Sequence, residues 1–366
     1  MTSWYSLKNE DEILTPAVLL YPERIKENIR RMIAVAGTPR RLRPHVKTHK
    51  IPQIVQMQIN AGINKFKCAT LAELQMVAIA GGKDILLSYP LVGPALNQFF
   101  SIIRRFPDTR FSVTIDNTSS CRDLEKLAAV NSLRIPVFID IDNGMHRTGI
   151  APGREAADLA RYIQSSGHLQ LAGIHVYDGH IRDADIEARR KSVEKQFKSV
   201  LDFLAFLENK GIRPEEMVCG GSPTFPVHAL AENRTLSPGT TLLWDSRHDS
   251  SFSDEGFLPA AVLAARIVSK PMGKLLCLDL GHKAVASEMP HPRVKFFDIG
   301  KFNTENHSEE HIVISTENHS GFSIGQVIYA LPVHICPTMA LHEQVYVVEE
   351  GRVIDKWEVT ARKRIY

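Results

Sequence analysis

Between residues 41 and 244 the chain repeats one unit, a short strand-like run followed by a stretch with apolar residues at helical spacing. The runs are RLRPHVK (41–47), INKFKCA (63–69), DILLSYP (84–90), RFSVTID (110–116), IPVFIDID (135–142), LAGIHVY (171–177), EMVCGG (216–221) and TLSPGTTLLW (235–244). Alternation of this kind specifies parallel strands joined by crossover helices, and eight such strands are the number that closes a barrel. Intervening stretches such as TLAELQMVAIAGG and SVEKQFKSVLDFLAFLENKG put apolar residues at i, i+3, i+4 and i+7 and end in glycine, as helices covering a barrel do. The rival, an open doubly wound sheet, would usually show a glycine-rich turn after its first strand, and no GxGxxG occurs there.

Beyond residue 250 the texture changes. AAVLAARIVSK, KLLCLDLG, HIVISTE, GQVIYALPVH and QVYVVEEGRVIDKWEVTARKRIY read as strands and turns with few helical stretches. The expected fold is therefore α/β: a (β/α)8 TIM-type barrel over residues 17–249, plus a mostly-β domain made of 250–366 joined by the N-terminal segment 1–16.

Composition narrows the partners. The 366 residues carry 44 basic and 41 acidic side chains spread along the chain, net +3, with no basic stripe to neutralise a nucleic-acid backbone. No run approaches the ~18 apolar residues of a membrane span. The opening MTSWYSLKNEDEIL lacks the basic-then-apolar layout of a signal peptide. No nucleic acid, no membrane and a cytoplasmic location are the expectations. The cysteines (Cys68, Cys121, Cys219, Cys277, Cys336) are odd in number, widely spaced and contain no CxxC, so reduced thiols are expected rather than a disulfide framework or a four-cysteine zinc site.

Barrel sites are assembled from the C-terminal ends of several strands, and here those ends carry chemistry. CGGSPT (219–224) and SPGTT (237–241) combine small residues, which let backbone N–H groups approach a ligand, with hydroxyls; together they suit a phosphate. RLRPHVKTHK (41–50) is open to three readings, an anion site, a metal site or a reactive lysine, and its lysines could equally be solvated loop charges. Lys47 closes the first run, where burial would strip its proton and leave an amine able to form an imine. Phosphate plus imine-forming lysine is the anchoring requirement of pyridoxal phosphate. In PVHICPT, His334 and Cys336 stand two apart on an expected strand and so face one side, an imidazole–thiolate pair suited to a metal or to a plain packing role.

In their order along nearly the whole chain, RPHVKTHK, DNGMHRTG, HVYDGH, GGSPT, SPGTTLLWD, DLGHKAVASE and HICPT resemble the D-threonine aldolase and D-serine dehydratase family of fold-type III, alanine-racemase-like pyridoxal-phosphate enzymes. The resemblance implies that Lys47 holds the cofactor covalently and that Gly220, Gly221, Ser222, Gly239 and Thr240 bind its phosphate. It places Arg147 at the phenolic oxygen and Tyr177 near the pyridine ring, and gives His334 and Cys336 a divalent metal, zinc or manganese. It further implies a homodimer and a small D-amino acid substrate. Two reactions are open: aldol cleavage of a D-3-hydroxy amino acid to glycine and an aldehyde, or dehydration to a 2-oxo acid and ammonia. GIHVYDGHIRD is similar to the aldolase branch, whereas a His-x-Cys pair is the dehydratases' pattern. The base of the aldolase reading is His180 or a metal-bound hydroxide; Asp183 stands at the family's base spacing. His45, His49, Lys50, His175 and His282 lie in the same segments without a role, with Asp279 and Lys283 as candidate substrate contacts. A non-catalytic pyridoxal-phosphate carrier is the reading from another class; it has no use for the extra domain or for the His-x-Cys pair.

Overall fold

Seven parallel strands follow one another around a single curled sheet in sequence order: β2 (Lys65–Cys68), β3 (Asp84–Leu87), β4 (Arg110–Ile115), β5 (Ile135–Ile141), β6 (Leu169–Val176), β7 (Glu216–Cys219) and β8 (Thr235–Leu236); β1 (Ala17–Leu20) lies elsewhere. This is a computed structural model, and it describes residues 3–365. The chain divides into two units: one holds residues up to Arg30, Thr48–Ile51 and Thr240–Arg362; the other holds Arg31–Lys47, Pro52–Gly239 and the residues from Lys363.

In the second unit the eighth stave of the barrel is not a regular strand. Leu42 bridges Leu236 of β8 and His45 bridges Lys67 of β2, both parallel, so residues 42–45 span the gap between the two edge strands. Arg43 N donates to Leu236 O (2.8 Å), His45 N to Pro238 O (2.8 Å), and Lys67 N to Pro44 O (2.9 Å). Pro44 and Pro238 have no N–H to offer, which limits the ladder to these bonds and explains why the runs expected at 41–47 and 235–244 shrink to bridges and a two-residue strand. After each run the chain turns into a 3-10 helix, Val46–Thr48 and Thr240–Leu242.

Strands covered on both faces read as continuous apolar runs, and Leu86, Phe138, Ala172 and Val218 fill the barrel interior as one cluster. Its N-terminal end is plugged by charge. Arg43, 1% exposed, pairs with Asp84 (2.7 Å) and Glu216 (2.9 Å), and Lys65 reaches the other Glu216 oxygen (3.0 Å). Gly173 in β6 has no alternative: a Cβ there would lie 2.1 Å from the Glu216 carbonyl oxygen and 2.6 Å from the Phe138 ring. Three of the covering helices begin at side-chain caps, Thr70 accepting from Glu73 N, Asn117 from Ser120 N and Asp185 from Ala188 N.

The first unit is a nine-stranded sheet built from β1 with β9 (Ala261–Ser269), β10 (Leu275–Leu278), β11 (Val294–Phe296), β12 (Asn303–His307), β13 (Ile312–Ser315), β14 (Val327–Pro332), β15 (Gln344–Glu349) and β16 (Arg352–Glu358). β1 pairs antiparallel with β9 and parallel with β15, so Ala17–Leu20, which the expected domain boundary at 17 groups with the barrel, is a central strand of this sheet. Its core gathers Leu19, Val262, Ala264, Tyr329 and Tyr346. The buried tyrosine hydroxyls find partners: Tyr329 donates to Glu10 (2.6 Å) and accepts from Leu7 N (3.0 Å). Among the described residues no helix is long and apolar enough to cross a membrane, and all cysteines are outside disulfides.

Candidate active site

At the C-terminal ends of the barrel strands lies a cavity of about 390 Å³, lined in part by Lys47, Lys67, Asp140, Arg147, His175 and Tyr177. Three basic side chains converge on one aromatic ring: Lys47 Nζ is 5.6 Å, Lys67 Nζ 5.7 Å and the Arg147 guanidinium 5.1 Å from the centroid of Tyr177. Lys47 leaves the end of the eighth stave, where its own N–H donates to His45 Nδ1 (3.2 Å). Arg147 sits on a turn that Asp142 builds by accepting from Gly144 N (2.9 Å) and His146 N (3.0 Å), and that Gly149 N ties to Asp116 (2.9 Å).

Lys67 points inward from β2 and is 2% exposed. Its Nζ is 3.3 Å from His175 Nε2, His175 Nδ1 is 2.7 Å from Asp140 Oδ1, and Thr148 donates to Asp140 Oδ2 (2.9 Å). Burial, then repulsion from Lys47, lowers the Lys67 pKa to about 7. Burial, then Lys67, also lowers that of His175. Burial alone would raise the Asp140 carboxyl, but His175 and Thr148 hold it below the ordinary value. A neutral imidazole therefore gives its Nδ1 proton to Asp140 and presents Nε2 to Lys67 as an acceptor.

The glycine turn after β7 packs against the same tyrosine. Gly220 has φ +73°, and a Cβ on it would meet the His228 ring at 2.6 Å; a Cβ on Gly221 would meet the Tyr177 ring at 3.0 Å. Ser222 Oγ accepts from Gly239 N (3.1 Å), bringing the two small-residue loops together. Beneath them a buried network holds the turn: Thr224 Oγ1 accepts from Gly221 N (3.3 Å) and donates to Asp178 (2.7 Å), His228 Nε2 donates to Asp178 (2.7 Å), and Arg234 donates to His228 Nδ1 (2.7 Å). Burial would raise the Asp178 carboxyl, yet His228 and Thr224 lower it. Thr240, grouped with these loops from sequence, belongs to the other unit, where its Oγ1 is 3.8 Å from Cys336 Sγ.

His334 and Cys336 do not share a strand. β14 ends at Pro332, His334 is the N-cap of the helix Ile335–Leu341, and Cys336 lies in its first turn. The helix starts here because Asp245 Oδ2 accepts from Ile335 N (3.0 Å) and Pro337 sits where a missing N–H costs nothing. Two-residue strand spacing is thus the wrong reason for their proximity, which the helical turn provides instead. The imidazole hydrogen-bonds the thiol, and His334 Nδ1 is 2.5 Å from Glu288. Burial would lower its pKa, but Cys336 and Glu288 raise it to about 9. Cys336 Sγ is also 3.2 Å from Thr48 Oγ1. Among the described residues no group of three or more His, Cys, Asp or Glu side chains is arranged to hold a metal ion.

His180 is outside the cavity lining: its Nε2 bonds Gln196 of the helix Ile186–Glu208, and its buried Nδ1 has no partner among the described residues. Asp183 uses its carbonyl to accept from Arg189 (2.9 Å). Burial drives the His49 pKa to about 3, and its Nδ1 accepts from Ile51 N (3.1 Å). Asp279 accepts from Thr15 (2.5 Å) and from Arg266 N (2.7 Å), Lys283 pairs with Glu309 (2.6 Å) and Glu310 (2.9 Å), and the His282 ring meets His307 edge-on. Sequence reasoning missed Lys67, Asp140, Asp178, His228 and Glu288; a lysine midway along the short strand KFKC was the one available signal.

The fit to pyridoxal phosphate is physical: an excess of cationic lining, an amine available for an imine, and a glycine turn that a Cβ would fill. Comparisons with known proteins agree. D-Threonine aldolase of Arthrobacter sp. is 27% identical over 95% of this chain and 92% of its own length. D-Serine dehydratase of Dictyostelium discoideum is 25% identical over 95% and 97%. The crystal structure of D-threonine aldolase from Filomicrobium marinum superposes with a TM-score of 0.89 at 26% identity, covering 97% of this chain and 96% of that one. Residues 260–348 match the model described as Putative serine dehydratase domain. Residues 21–246 match the model of the alanine racemase N-terminal domain, and the chain belongs to that family, in its fold-type III branch of D-threonine aldolases and D-serine dehydratases.

Proposed function

We propose that the protein is a pyridoxal-phosphate-dependent lyase that cleaves a D-3-hydroxy amino acid of the D-threonine kind to glycine and an aldehyde. The observation that carries this reading is the convergence of Lys47, Lys67 and Arg147 on the Tyr177 ring in one cavity. When bound, the cofactor supplies an electron sink for a bond broken at the substrate α-carbon. Lys47 would hold it covalently, and the turns at Gly220, Gly221, Ser222 and Gly239, with Thr240, would take its phosphate. Arg147 offers a fixed guanidinium to an oxygen anion. Tyr177 presents a flat wall to a ring and is itself backed by Gly221. His334 and Cys336 would hold a divalent ion, zinc being the softer match to a thiolate, which supplies the Lewis acidity that lowers a hydroxyl pKa. Glu288 accepts a hydrogen bond from His334 Nδ1, which would leave Nε2 as the nitrogen to hold an ion. A homodimer acting in the cytoplasm remains part of the proposal.

A second reading, dehydration to a 2-oxo acid and ammonia, draws support from Cys336, since a His-x-Cys pair is the dehydratase pattern. Incubation of the cofactor- and metal-loaded protein with D-threonine separates the two. Glycine plus acetaldehyde is the expected outcome; 2-oxobutyrate plus ammonia would transfer the assignment to the dehydratase. Turnover of neither D-threonine, D-phenylserine nor D-serine would defeat both.

A further inference from the structure

The cavity contains one amine more than an imine needs. Lys47 and Lys67 stand at nearly the same distance, 5.6 and 5.7 Å, from the Tyr177 ring, yet only one can carry the cofactor. Lys67 sits inside a strand, is 2% exposed, and has one hydrogen directed to His175 Nε2. An ammonium in such a place is retained only if something compensates it. The titratable groups facing it are Lys47 at the end of the eighth stave, Asp140 on β5, His175 on β6, Tyr177 and Asp178 just after β6, and Cys219 on β7, with His45 bridged to it from the stave and Arg147 on the same Tyr177 ring. Both carboxylates are ionised and favour the ammonium, but Asp140 is shared with His175 and Thr148 and Asp178 with His228 and Thr224, and burial with repulsion from Lys47 outweighs them. Burial pushes the Cys219 thiol up, so it supplies no charge. An anionic ligand would add the negative charge that tips Lys67 to its charged form.

We infer that Lys67 is a non-covalent cofactor-binding residue, which pairs with the anionic cofactor while Lys47 makes the covalent bond, and which is protonated when the cofactor is bound. The inference rests on the proposed function above. The relay explains how one amine can serve both states. His175 is fixed as the Nδ1–H tautomer by Asp140, so its Nε2 accepts a Lys67 hydrogen whether Lys67 is neutral or charged. Without an anion, repulsion from Lys47 and burial favour the neutral amine; an arriving phenolate and phosphate reverse that preference. Cofactor binding therefore takes up a proton at Lys67, and a positive charge beside the lysine-bound cofactor lowers the pH at which its visible band titrates.

The test is a spectrophotometric titration of apoprotein with pyridoxal phosphate between pH 6 and 9, on wild type, Lys47→Ala, Lys67→Met, Lys67→Gln and Lys67→Arg, with melting curves to show that each variant folds. Lys67→Met and Lys67→Gln should keep the visible band but bind about tenfold more weakly at pH 8. Their band should titrate about one unit higher, one pKa unit being a tenfold change in an equilibrium. Lys67→Arg should restore most of both, and Lys47→Ala should lose the band. Affinity within twofold of wild type with an unchanged band profile would overturn the inference. So would a band lost in Lys67→Met and kept in Lys47→Ala. Absence of any band in wild type would instead defeat the proposed function itself.

Discussion

At the scale of single residues, the roles separate by what each side chain touches. His180 was the sequence's candidate base, but its ring is bonded to Gln196 and packed beside Gly144, outside the cavity lining. Removal of a general base costs about 10²–10⁴-fold in rate. His180→Ala should instead leave kcat within about threefold and lower the melting temperature, as loss of a packed, hydrogen-bonded ring does; a kcat loss in the base range would return His180 to the chemistry. Glu288 acts through His334. If it fixes the imidazole for an ion, Glu288→Gln should weaken zinc binding by about 10–100-fold, the usual effect of removing a ligand's hydrogen-bond partner. Metal content after dialysis against a graded chelator series reads this directly, and unchanged retention would remove Glu288 from that role.

At the scale of elements, the eighth stave does two jobs. It closes the sheet through Leu42 and His45, and it carries Arg43 into the charged plug formed with Asp84, Glu216 and Lys65. Arg43 is buried, so Arg43→Ala takes away the cation that Asp84 and Glu216 share, leaving Lys65 to Glu216 alone, and should destabilise the protein by about 3 kcal/mol, measured by denaturant unfolding. The plug also sets an acid limit. Burial would raise the Glu216 carboxyl, but Arg43 and Lys65 bring it down to about 2, below its unfolded value of 4.5. Its contribution is therefore complete above the unfolded pKa and is lost as pH falls toward about 2. Glu216→Gln should flatten the stability profile over that window; an equally steep profile would place the acid sensitivity elsewhere. The turn after β7 is equally exacting, for Gly221→Ala would press a methyl against the Tyr177 ring. Weaker cofactor binding without loss of fold is expected, and unchanged binding in the same titration would show that the turn has room to give.

At the scale of the whole molecule, the parallel rhythm of the first part and the strand-rich second part were legible because buried strands and covering helices impose their periods locally. The strands at 84–87, 110–115 and 169–176 lie within or overlap the runs that announce them. What stayed illegible was set by partners far away in sequence. AVLL at 17–20 has no periodicity of its own, and only pairing with β9 and β15 makes it a strand of the second sheet. Lys67 and His175 are 108 residues apart, Asp178 and His228 fifty apart, and neither pair leaves a local pattern. The His334–Cys336 pair was found through a strand that is a helix start, because the cap for it, Asp245, lies 90 residues upstream. Prolines 44 and 238 were visible, but their effect on the ladder becomes clear only once residues 42–45 are seen to close the barrel.

All of this turns on the claim that the cavity binds pyridoxal phosphate covalently through Lys47. Borohydride reduction of the cofactor-loaded protein, followed by digestion and mass spectrometry, fixes the attachment point permanently. The account predicts a phosphopyridoxyl mass on the peptide containing Lys47 and on no other lysine; label on Lys67, or no label at all, would contradict it.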